Sequence, residues 1–328
     1  MLRAPAALEN EQIALWEALA TRLVTLDERV WEGVANGPAV ENWLENFDGR
    51  TGVTADVERL HALYLLSQFM YFGAREIRVL LKALYRDLFL LPLAQRVRTQ
   101  TASEAEFVAR MGEERAATRF LGVGNPSESG VHLLYYFRQE NRLSKSAFLD
   151  SAQIYKVTDE DAGRKRVPRY EDVKRYVFLD DMCGSGETAV RYSQNLLPEL
   201  IAEKHDVEIF YLALFACKDG LDRVRRETIF GEHCGAVYEL DESYKWAMRD
   251  SRYLSNLPVG LDSALLISIA TVYGTAILPG HPLGYLGGQL LLGFFHNTPD
   301  NTLPVIWCDP PNGSNVPWYP IFRRYPKV

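Results

Sequence analysis

Tyr176-Val177-Phe178-Leu179-Asp180-Asp181-Met182-Cys183-Gly184-Ser185-Gly186-Glu187-Thr188 is the stretch on which the reading of this chain turns. An apolar run rich in β-forming residues ends at two adjacent carboxylates. A short turn with two glycines then leads into a helical pattern. Val190, Leu197 and Ile201 share one face of that helix, and Pro198 is expected to kink it. Strand, glycine turn and helix in this order describe one step of an open parallel α/β sheet. Ligands of such sheets lie beyond the carboxyl ends of the strands.

The residue types in the turn specify a chemistry. A helix N-terminus presents unpaired N–H groups and the positive end of its dipole, which suits a phosphate. Gly184 and Gly186 let the backbone approach it, and the Ser185 and Thr188 hydroxyls can donate to its oxygens. Two carboxylates beside a phosphate would repel it unless something lies between them. A ribose diol donates to carboxylates, and Mg²⁺ can bridge the remainder. The unit therefore reads as a 5-phosphoribose pocket, with Asp180 and Asp181 as candidate catalytic and metal-binding acids. A P-loop is excluded because no Gly-Lys-Ser/Thr follows the glycines. A dinucleotide fingerprint fails because Gly122 and Gly124 lack a third glycine, and no acid stands ~20 residues on.

The same alternation continues outward from this unit. Upstream, Phe120 to Val123 reads as a strand. A loop from Gly124 to Gly130 follows it, then a helix carrying Val131, Leu134, Tyr135 and Phe137. Downstream, Val207 to Ala216 reads as a buried central strand, Lys218-Asp219-Gly220 opens a helix, and Cys234 to Leu240 is a further strand. Residues 118–240 thus form the expected core. Residues 1–117 read as a helical extension: Ile13, Trp16, Leu19 and Leu23 recur at helical spacing, and so do Val40, Trp43, Leu44 and Phe47. Thr54 is the expected N-cap of a long segment ending near Arg98, broken at Gly73. Ser103 and Glu106 form a capping-box pattern before a third helical stretch.

Residues 241–328 read as a C-terminal, hood-like region. There Leu290 to Phe295 and Leu303 to Trp307 are expected to pair as strands. His296 and Asn297 between them are either hairpin polar residues or a cap over a base pocket.

Composition narrows the function classes. Apolar residues make up 47% and charged residues 24%, as in ordinary folding sequences. A net charge of −7 argues against bulk nucleic-acid binding, which needs a basic face. Cys183, Cys217, Cys234 and Cys308 lack metal-ligand or disulfide spacing, so reduced thiols in a cytoplasmic protein are expected. The apolar stretch Ser263 to Phe295 is interrupted by Gly274, Pro279, Gly280, His281, Pro282 and Gly284, so no membrane span is expected. Arg3 has no long apolar core behind it, and Glu9 and Glu11 soon follow, so no signal peptide is expected.

The unit around Asp180 resembles the phosphoribosyltransferase superfamily, in its type I form. The motif of that superfamily is an apolar strand, two acids, two variable residues and a small polar phosphate loop. Asp180 and Asp181 match its ribose-binding acids, Ser185, Gly186 and Thr188 match the phosphate loop, and Cys183, Gly184 and Glu187 complete it. The resemblance implies further loops by order. The first pyrophosphate loop falls at Gly124 to Gly130, bringing in Ser127, Ser129 and Gly130. The flexible active-site loop falls at Asp159 to Arg169, where Arg164 and Lys165 would steady departing pyrophosphate beside Arg166 and Arg169. A third loop falls at Lys218-Asp219-Gly220.

Purine-specific members carry an acid where this chain has Gly184, which speaks against ordinary purine salvage. The whole chain, including Phe295 to Pro304, is similar to a branch associated with bacterial conflict and anti-phage operons, whose members carry a helical extension. The resemblance implies a Mg²⁺-dependent enzyme that makes or breaks the C1 bond of 5-phosphoribosyl diphosphate or a nucleotide. It also implies a protein partner docked through the helical extension. The alternative is a non-catalytic sensor of such a ligand.

Overall fold

A computed structural model describes residues 2–124, 129–160, 163–204, 206–309 and 317–324. In chain order the helices are α1 (Asn10–Arg29), α2 (Gly37–Leu44), α3 (Ala55–Ser67), α4 (Ala74–Ala83), α5 (Leu91–Thr99), α6 (Glu104–Ala116), α7 (Ser129–Glu140), α8 (Glu187–Leu196), α9 (Pro198–Glu203), α10 (Lys218–Glu227), α11 (Ser263–Ile277) and α12 (Pro304–Trp307). The strands are β1 (Met70–Phe72), β2 (Thr118–Gly122), β3 (Tyr155–Glu160), β4 (Gly163–Pro168), β5 (Arg175–Cys183), β6 (Glu208–Cys217), β7 (Cys234–Leu240) and β8 (Leu292–Phe294). Among the described residues no helix is long and apolar enough to cross a membrane.

The chain divides into two compact units: residues 78–240, and residues 1–77 together with 241–328. The first is an α/β unit built on a four-stranded, all-parallel sheet of order β2-β5-β6-β7. Its central strands are apolar runs because both faces are covered. One face carries Phe178, Tyr211, Leu221, Val224 and Phe230 under α8 and α10. On the other, Phe89 meets Phe120 at 5.4 Å and Phe210 at 6.0 Å between ring centroids, and Phe120 meets Phe137 at 5.2 Å. Phe89 belongs to a π-helical turn, Leu84–Leu90, between α4 and α5. These aromatic contacts are why residues 78–117, read above with the helical extension, fold with the sheet.

The second unit has a core of large aromatics, with Trp31, Trp43, Phe47 and Tyr273 fully buried. Trp43 donates its indole N–H to the Val305 carbonyl at 2.7 Å. The segment starting at Thr54 is not one helix. Thr54 caps α3 as expected, but α3 stops at Ser67, and Met70–Phe72 pairs in parallel with Leu292–Phe294. The expected pairing of Leu290–Phe295 with Leu303–Trp307 is likewise corrected. Pro304, locked near helical φ, opens the short helix α12, whose Val305 and Ile306 are buried. Ser103 caps α6 by accepting the Glu106 N–H at 3.2 Å.

Candidate functional site

The residues of the expected pocket lie at the carboxyl end of β5. Strand β5 continues through both acids to Cys183, in register with β6 from Arg175↔Glu208 to Cys183↔Ala216. Gly184-Ser185-Gly186 then turns the chain into α8, with Gly186 at the N-cap in the left-handed region, φ +75°. A Cβ on Gly186 would sit 2.6 Å from the Gly220 carbonyl oxygen, and one on Gly220 would collide with the Gly184 carbonyl. The turns after β5 and β6 therefore interlock through backbone alone. That contact sets Lys218 and Asp219, in the exposed first turn of α10, beside the Gly184-Ser185-Gly186 turn. Ser185 is held from both sides: its Oγ accepts the Glu187 N–H at 3.4 Å and its carbonyl accepts Arg223 Nη1 at 3.4 Å. Thr188 lies in the first turn of α8, half-buried.

The acid pair is under electrostatic tension. Asp180 Oδ1 accepts the Asp181 N–H at 2.9 Å, and its Oδ2 accepts the Tyr211 hydroxyl at 2.8 Å. Burial first, and the Asp181 charge second, raise the Asp180 carboxyl well above the usual carboxylate range. Two like charges in a desolvated site do not both ionise without a compensating donor or cation. Burial, then the neighbouring Asp180 and Cys183, also raise the Tyr211 phenol well above its usual value. Tyr211 is therefore a neutral donor. Burial pushes the Cys183 thiol up to about 12, which fits a packing residue and not a nucleophile.

Mg²⁺ is commonly held by one or two carboxylates, with substrate phosphate and water completing six ligands. The tense Asp180–Asp181 pair fits that donor set. Among the described residues no group of three or more His, Cys, Asp or Glu side chains is placed to hold a metal by itself.

The expected basic loop is placed elsewhere. Its described residues form the antiparallel ribbon β3–β4, in register from Tyr155↔Pro168 to Glu160↔Gly163. Arg164 pairs with Asp159 at 3.4 Å, Lys165 with Glu203 at 2.8 Å and Arg166 with Glu199 at 3.3 Å. Glu199 and Glu203 belong to α9, beyond the far end of α8, whose length is about 15 Å at 1.5 Å per residue. Arg164 and Lys165 are thus not gathered with the phosphate loop in this structure. Ser127 lies outside the described residues, and Ser129 and Gly130 open α7.

Tyr211 and Arg223 contact these residues and were not singled out in the sequence, whereas Gly220 was placed there by loop order alone, without its close approach to Gly184. A signal existed for Tyr211: a tyrosine in an otherwise apolar buried strand needs a partner for its hydroxyl.

Comparison with known proteins bears on this site. No curated protein matches the chain. Among the solved structures that match is the Helicobacter pylori Xanthine-Guanine-Hypoxanthine Phosphoribosyltransferase, 11% identical over 52% of this chain and 84% of that one. Its TM-score is 0.24, a likeness too low to carry an argument. The profile of the PRTase-CE family, in contrast, matches residues 40–324, both units included. On the strength of that match the chain belongs to the PRTase-CE family, with a phosphoribosyltransferase-like α/β fold.

Proposed function

We propose that the Asp180–Thr188 unit binds a 5-phosphoribosyl ligand and that the protein makes or breaks the glycosidic bond at its C1. The observation that carries this reading is the acid pair: Asp180 and Asp181 lie side by side near the end of β5, just before the glycine turn into α8, and burial raises the Asp180 carboxyl. A ribose diol donates hydrogen bonds to such a pair, while the 5-phosphate lies on the α8 N–H groups with the Ser185 and Thr188 hydroxyls. Mg²⁺, held by Asp180 and Asp181 together with pyrophosphate and water, would neutralise charge on the leaving group. In the forward sense the C1–oxygen bond to pyrophosphate breaks as a C1–nitrogen bond to a base forms. In nucleotide cleavage the C1–nitrogen bond breaks, the base leaves with a proton, and an oxygen of pyrophosphate or water forms the new bond to C1. Both pass through an oxocarbenium-like state, whose positive charge the two acids stabilise. By resemblance alone, such an enzyme would act as an anti-phage effector that depletes nucleotides and is controlled by a partner on its helices.

The second reading is a sensor that binds the same ligand without turnover. Gly184 favours it, because no side chain stands there to act as a base toward a purine.

The test is calorimetric titration of 5-phosphoribosyl diphosphate with Mg²⁺ into the wild type and the Asp180→Asn/Asp181→Asn variant. The same mixtures, supplied with nucleotides, are assayed for released base or pyrophosphate. Binding to the wild type that is lost in the variant supports the pocket, and turnover then separates enzyme from sensor. Equal binding to both proteins refutes it.

A further inference from the structure

We propose that a cavity at the amino-terminal end of β2 is a second ligand site, which takes a small phosphate monoester carrying a flat aromatic body. Its volume is about 410 Å³, in the range of small-molecule sites. Tyr85, Phe89 and Phe120 form its floor; the Phe120 ring lies 5.9 Å from Tyr85 and 5.4 Å from Phe89, edge to face. Arg115, Arg119 and Arg142 line it with Ser144 and Ser146, and among the described residues no carboxylate lines it. Arg119 is fixed in place, since Nη1 donates to the carbonyls of Ala116 at 2.6 Å and Thr118 at 2.9 Å. Its Nη2 also meets Asp172 at 3.6 Å, a carboxylate that is 73% exposed. Arg115 lies beside the Tyr85 phenol. Aromatic rings and three arginines lining one cavity suit a planar ring bearing a doubly charged head.

Three local departures from regular structure converge on this one cavity. Gly112, inside α6, lowers that helix's propensity where no packing demands it: it lines the cavity, and a Cβ there would meet no atom within 4 Å. Tyr85 and Phe89 are both presented by the π-helical turn Leu84–Leu90, a geometry that recurs at functional sites. Arg142 follows α7 in the left-handed region at φ +52°, an uncommon place for a side chain of its size. Departures of this kind cluster where a site is maintained. The cavity is separate from the phosphate loop. Thr118, Arg119 and Phe120 pair with Arg175, Tyr176 and Val177, at the opposite end of β5 from Asp180 to Cys183.

The probe is 1-naphthyl phosphate, titrated calorimetrically into the full chain, with inorganic phosphate and 1-naphthol as separate arms. One equivalent should bind, at least tenfold tighter than either fragment. Gly112→Phe, which fills the cavity, should abolish binding, and Arg142→Ala should weaken it at least tenfold. Because Arg142 is exposed, that variant carries the test should Gly112→Phe fold poorly. The proposal is overturned by absence of binding, or by unchanged affinity in a folded Gly112→Phe or in Arg142→Ala. Loss in Ser185→Ala/Thr188→Ala with retention in Gly112→Phe also overturns it, since the probe then occupies the phosphate loop.

Discussion

Two carboxylates, one in each unit, are treated in opposite ways. Glu58 is fully buried. Its Oε1 accepts the Thr51 N–H at 2.7 Å and hydroxyl at 2.6 Å, and its Oε2 accepts the Gly49 N–H at 2.7 Å and the Tyr273 hydroxyl. Asp180 has the Asp181 N–H and the Tyr211 hydroxyl, and beside them a second carboxyl. A carboxylate whose lone pairs are all engaged braces a fold. One that is desolvated against its own kind is held for donors or a cation from outside.

The comparison breaks most visibly at Glu58. Glu58→Ala leaves several donors without an acceptor and should cost about 3 kcal/mol in urea unfolding. All six tryptophans lie in the unit containing Glu58, so intrinsic fluorescence follows that unit alone. An unshifted fluorescence midpoint would remove the bracing role. Next comes Gly220→Ala, which forces the two interlocked turns apart. About 2 kcal/mol should be lost from the α/β unit, in far-ultraviolet dichroism, with the fluorescence transition unmoved and 5-phosphoribosyl binding lost.

Asp180→Asn should move the other way, gaining on the order of 1 kcal/mol at pH 7 while ligand binding falls. The sign follows from linkage. Asp180 holds its proton more tightly folded than unfolded, so its stabilising contribution is complete below about pH 4 and is lost as pH rises through the elevated folded value. Melting temperatures of the wild type across that window should fall with pH relative to the variant; parallel curves would mean that Asp180 carries no tension. Smallest is Gly112→Ala, expected to add about 0.5–1 kcal/mol by restoring helix propensity. A lower melting temperature in that variant would place close packing where open space is described.

The sequence carried the α/β unit further than the rest. Strand β5, the glycine turn and α8 are local patterns, each set by residues within a few positions of one another, and they fold as read. Pro198 ends one helix and starts the next for the same local reason. What was not legible is long-range. Nothing in Met70-Tyr71-Phe72 names Leu292–Phe294 as its partner, and three apolar residues inside a helical run carry no period of their own. Leu303 to Trp307 shows the same ambiguity resolved the other way, with Pro304 as the overlooked helix starter. Within the site, Asp180, Asp181 and the glycines were legible as a motif. The Tyr211 hydrogen bond and the close approach of Gly220 to Gly184 were not, because both depend on the register of β6 against β5.

The pairing of β1 with β8 also sets the order in which the protein can be completed during synthesis. The α/β unit closes once residue 240 has left the ribosome, but β1 and Trp43 wait for Leu292–Phe294 and Val305. Until then Trp16, Leu19, Leu23, Leu63 and Leu66, all buried at the end, have only each other to cover them. A message truncated between codons 240 and 292 would therefore yield a finished sheet joined to an apolar N-terminal segment without its core, a natural substrate for chaperones and proteases.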